Sequence, residues 1–79
     1  MSDLDVIVAK SLSALKWDGP GPLSKGEALT AALVLNKPEW LSDMGYTIAE
    51  AISRVGPEWI ALVPQAAKEV TRRISLPSK

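Results

Sequence analysis

The sequence predicts an all-α fold, a compact bundle of four or five short helices around a central apolar helix at about residues 25–36. Three observations predict it. Ser24 with Glu27, and Thr47 with Glu50, stand at the spacing of a capping box, in which a hydroxyl and a carboxylate each satisfy a free N–H at a helix start. The phrase Pro38-Glu39-Trp40-Leu41 returns nineteen positions later as Pro57-Glu58-Trp59-Ile60. Proline suits the first helical position, glutamate meets the positive end of the dipole, and tryptophan supplies an apolar anchor. Elsewhere apolar residues recur every three or four positions.

In chain order, Ser2 is a candidate cap with Asp3 and Asp5 behind it, and Leu4, Ile7, Val8, Leu12 and Leu15 form a stripe, so residues 3–17 read as an amphipathic helix. Asp18-Gly19-Pro20-Gly21-Pro22 cannot be helical, and residues 18–23 form a connector. From Ala28 to Leu35 only Thr30 is polar, which marks this helix as the buried one. A strand at Leu33-Val34-Leu35 is the competing reading, but the alanines and the capping box favour helix. Asn36 tolerates the left-handed geometry of a helix stop, and Pro38 follows.

A short helix from Pro38 to Met44 ends at Gly45. The next, opened by Thr47 and Glu50, has an apolar stripe of Ile48, Ala51, Ile52 and Val55, with Glu50 and Arg54 at the i,i+4 spacing of an ion pair. After the Gly56-Pro57 corner, Ile60, Val63, Ala67, Val70 and Ile74 line a last helix, kinked or broken by Pro64 near residues 60–64. Residues 76–79 are expected to fray. Trp40 and Trp59 are both expected to be mostly buried. The two Pro-Glu-Trp segments match weakly beyond the phrase, Glu50 with Glu69 and Arg54 with Arg73; a degenerate duplication or two uses of one good helix start would both produce this.

Length and composition bound the function. A chain of 79 residues is expected to be a single domain with a modest core. At 47% hydrophobic and 23% charged it reads as globular. No apolar run approaches the roughly 18 residues of a membrane span, and the acidic start is not that of a signal peptide, so a cytoplasmic location is expected. The nine cations balance the nine acids, which removes the usual electrostatic footprint of a nucleic-acid binder.

Catalysis has little to work with. Cysteine and histidine are absent, so nucleophile and base would have to come from carboxylates, lysines or hydroxyls. Glu39 with Asp43 is the nearest carboxylate pair and Glu39 with Glu58 the most suggestive symmetric one, but a lone i,i+4 acidic pair is usually a solvated helix face. No loop gathers the oxygens of a metal site or the glycines and lysine of a phosphate loop, so no metal or cofactor is expected.

Two function classes remain. The first is a small non-enzymatic protein-binding module, an inhibitor or a regulatory subunit. Trp17 beside the connector, Tyr46 in a turn, and Lys68, Arg72 and Arg73 on the last helix are of residue types suited to docking and steering a protein partner. Their bland readings are a core cap, turn packing, and cations placed for the helix dipole and Glu69. A weak homodimer through a stripe of the last helix fits the same pattern. The second class is a DNA binder, because residues 41–55 loosely resemble a helix-turn-helix. Arg54 is the only cation its second helix offers, with Glu50 beside it, so DNA is the less favoured partner.

Overall fold

The computed structural model describes residues 2–75, which form six helices and no strand. They are α1 (Asp3–Trp17), α2 (Lys25–Val34), α3 (Pro38–Asp43), α4 (Ile48–Val55), α5 (Pro57–Ile60) and α6 (Val63–Ser75). The tail expected to fray, residues 76–79, lies outside the described residues. No helix among the described residues is long and apolar enough to cross a membrane.

Helix starts and stops follow local chemistry. Both expected capping boxes form, and α1 has a third: Ser2 Oγ accepts from the Asp5 N–H while the Asp5 carboxylate accepts from the Ser2 N–H. Three helices end in the same way, on a left-handed residue: Asp18, Asn36 and Gly45, with φ of 56°, 57° and 80°. The following N–H groups, of Gly19, Lys37 and Tyr46, reach back to the carbonyls of Ala14, Ala32 and Leu41 at 2.8–3.0 Å, closing each last turn. In the connector Asp18 and Gly21 take left-handed positions and Gly19 does not. The central helix ends at Val34, two residues short of the expected 25–36, because Asn36 turns the chain there.

Pro64 explains why six helices replace the expected four or five. The last helical stretch breaks outright at Ala61-Leu62. Pro64 then lies in the first turn of α6, where its missing N–H removes no intrahelical bond.

α2 is the centre of the fold. It packs against α1, α3, α4 and α6, and Ala28 to Ala32 are all buried. Thr30, its buried polar residue, donates to the Gly26 carbonyl at 2.7 Å and so leaves no unpaired group. The core has two parts. One joins Ala14, Leu29, Ala31, Ala32, Trp40, Leu41 and Ala51; the other joins Ile7, Val8, Val34, Ala66 and Val70. Leu35 packs against both.

The faces that become buried differ from the expected stripes in three places. On α1 the fully buried residues are Ile7, Val8, Ser11 and Ala14, while Leu4, Leu12 and Leu15 are only half-buried. Small residues at 11 and 14 allow a closer approach of α2 than leucines would. The repeated phrase starts α3 and α5 alike, with proline in the first turn, but packs them differently. Trp40 is buried at 7% exposure within the first part of the core, whereas Trp59 is half-buried and packs against the second, so both anchor the core but to different depths. On α4 only Ala51 is buried and Val55 half-buried; Ile48 and Ile52 stand out at 56% and 43% exposure. α4 lies at the edge of the fold, so its neighbours cover only part of its apolar arc.

Candidate functional site

At 3.6 residues per turn α4 presents three sides. Ala51 and Val55 face the core, Ile48 and Ile52 form a bare apolar side, and Glu50, Ser53 and Arg54 form a polar side. The polar side is where side chains of interface type converge.

Arg54 lines two clefts. One, of about 510 Å³, runs between the start of α2 and the α4–α5 corner and includes Gly26, Glu27, Glu58 and Trp59. The other, of about 550 Å³, includes Gly45, Tyr46, Glu50 and Ser53. The corner itself depends on Gly56, whose φ of 97° with extended ψ is a glycine conformation, followed directly by Pro57. That turn carries the chain from Arg54 to Trp59 within one groove.

The electrostatics of Arg54 follow from the capping box. Glu50 was the expected i,i+4 partner, but its Oε1 accepts from the Thr47 N–H at 2.9 Å. No ion pair forms between them, and among the described residues no carboxylate lies within ion-pair distance of Arg54. Glu27 is also engaged. Its carboxylate accepts from the Ser24 N–H at 3.1 Å and lies 3.8 Å from Lys10 Nζ. Lys25, on the same side of the fold, sits 5.6 Å from the centre of the Tyr46 ring, within cation–π range.

The residues expected to bind a partner do not form one patch. Tyr46 is half-buried against the first part of the core and shares its cleft with Arg54. Trp17 lies at the end of α1, 46% exposed, with its ring against the connector: a Cβ on Gly21 would fall 2.5 Å from a ring carbon. Lys68, Arg72 and Arg73 are exposed on α6. Both arginines are tied to Glu69, Arg72 through Nε and Nη2 and Arg73 through Nε at 2.9 Å. These hydrogen bonds, first Arg72 and then Arg73, hold the Glu69 carboxyl down at about 2 and push the Arg72 guanidinium up. Lys68 has no such partner among the described residues and borders a shallow depression with Ala67 and Thr71.

Sequence reasoning missed three contributors to this surface: Arg54 as a free cation, Trp59 as a half-open ring, and Lys25. None of the three had a decisive local signal: Glu27 caps Ser24 with one oxygen and meets Lys10 with the other, so the Thr47–Glu50 box left the pairing of Arg54 open. Among the described residues no three His, Cys, Asp or Glu side chains come together as a metal would need.

Fold and surface together define a small all-α globule with an aromatic-flanked cation on its edge helix. No protein-family model matches the chain, and no curated protein or solved structure is similar to it at a meaningful level.

Proposed function

We propose that the chain is a small non-enzymatic protein-binding module, an inhibitor or a regulatory subunit, that docks its partner where Arg54 stands between Tyr46 and Trp59. The observation that carries this reading is Arg54 itself, an arginine with no carboxylate in ion-pair range among the described residues, which lines two clefts, each with an aromatic ring. Tyr, Trp and Arg dominate the energetics of protein interfaces, since each combines apolar contact with a polar handle. A partner offering a carboxylate to Arg54 would complete the pair that Glu50 leaves open. Lys68, Arg72 and Arg73 add a positive excess on α6 over the single acid Glu69, suited to steering an acidic partner from a distance. The lack of histidine and cysteine supports the non-enzymatic part of the reading.

The test is cross-linking of the tagged protein in extract of its host, followed by mass spectrometry, with Arg54→Glu in parallel. Arg54 is exposed, so the variant should keep the helical circular-dichroism spectrum. One protein captured by the wild type and lost with Arg54→Glu is the expected result. Equal capture by both would overturn the assignment of the surface.

The second reading is a DNA binder through residues 41–55. It is favoured by the order α3, a four-residue turn, α4. It is weakened by the first turn of α4, Ile48-Ala49-Glu50, which offers no cation where a recognition helix meets bases. Duplex binding near physiological ionic strength that falls steeply with salt would put this reading first.

A further inference from the structure

The bare side of α4 faces away from Arg54 and has a chemistry of its own. Ile48 and Ile52 are exposed one helical turn apart, with Ala49 exposed beside them. Next to them is a pit of about 50 Å³, walled by Leu33, Pro38, Leu41 and Ile48. Lys37 is the one charged residue that lines it. The face therefore holds both a knob, Ile52, and a hole.

We propose that this face pairs with a second copy of the chain, each Ile52 seating in the pit of the other across a two-fold axis. A surface carrying both a knob and a hole is its own complement, because in an isologous pair residue i meets j and j meets i. Charge permits it: the chain has no net charge and the face is nearly free of ionised groups, so two copies approach without repulsion. The exposed Ile74 on α6 is the rival face, at 57% exposure. The depression on α6 is lined by two cations, Lys68 and Arg72, beside Ala67 and Thr71. The α4 pit has one, Lys37.

Size sets the strength. A stable interface covers about 800 Å² per partner, and the whole described surface is 4923 Å². A face built on one eight-residue helix supplies only part of that area, so the dimer forms at high micromolar concentration and not at nanomolar. It leaves the polar side of α4 uncovered, and so does not depend on the proposed partner.

Sedimentation velocity from low micromolar to near-millimolar protein tests it. The wild type should shift from monomer to dimer mass. Ile52→Lys should weaken the association tenfold or more, with an unchanged thermal melt at low concentration. Ala49→Lys, at an exposed position on the same side, should do the same and guards against a folding defect in the first variant. A wild type that stays monomeric throughout, or dimers that persist undiminished in both folded variants, would overturn the proposal.

Discussion

Ser11 and Thr30 are both buried in the helices that form the heart of the fold, but they are satisfied differently. Thr30 bonds back to Gly26, whereas Ser11 Oγ is buried with no hydrogen-bond partner among the described residues. A buried hydroxyl left unpaired costs about 1–3 kcal/mol, and a methyl group of similar size carries no such cost. Ser11→Ala should therefore raise stability by about 1 kcal/mol, read as an upward shift of Tm by several degrees. The tryptophans give the opposite kind of test. Trp40→Ala empties a core position and should cost about 3–5 kcal/mol, enough to unfold a marginal domain. Trp59→Ala should cost clearly less, because part of its ring already meets water; equal losses in thermal melts would contradict the packing described. Sequence could not separate the two, since their local phrases are the same and only their neighbours differ.

Among the elements, helix ends were legible in the sequence and helix faces only in part. Caps and stops depend on a residue and its near neighbours, so Ser24, Thr47, Asn36, Gly45 and Pro64 each announced a boundary. Which arc of a helix is covered depends on elements distant along the chain. That is why the stripes of α1 and α4 were placed too simply, and why residues 41–55 were weighed as a DNA-binding segment while Arg54 was not placed with Tyr46 in a protein-binding surface. The end of α6 offers an element-scale prediction. Glu69, its carboxyl lowered to about 2 from 4.5, contributes stability that is complete above the ordinary carboxylate value. That contribution fades as pH falls from about 4.5 towards 2, where Glu69 takes up its proton and releases Arg72 and Arg73. The pair is exposed, so the loss should be small and confined to the last turns of α6. Nuclear magnetic resonance of amides at 70–75 across that range should show fraying in the wild type. In Glu69→Gln the same turns should fray already at neutral pH and change little with acid.

Seen as one molecule, the helical class and the central place of α2 were legible because caps, periodicity and an apolar run agreed. The division of the core in two was not, because it arises from which ends of the chain meet. The first part is built from residues 14 to 51, neighbours along the chain. The second requires Ile7 and Val8 on α1 to find Ala66 and Val70 on α6. Closing so long a loop costs more entropy than forming local contacts, and that cost must be met before the contacts form. Folding should therefore run in order, α2 with α3 and α4 first and α6 last, and opening should reverse it. Native-state hydrogen exchange in rising denaturant should show α6 amides exchanging through a partial opening while those of α2 wait for global unfolding. Simultaneous exchange of all helices would show a single cooperative unit instead. Sequential opening would make α6 a detachable strap: its release would uncover Ile7, Val8 and Val34 and loosen Trp59, while Tyr46 and Val55, which rest on the first part of the core, would keep the other flank of Arg54 standing.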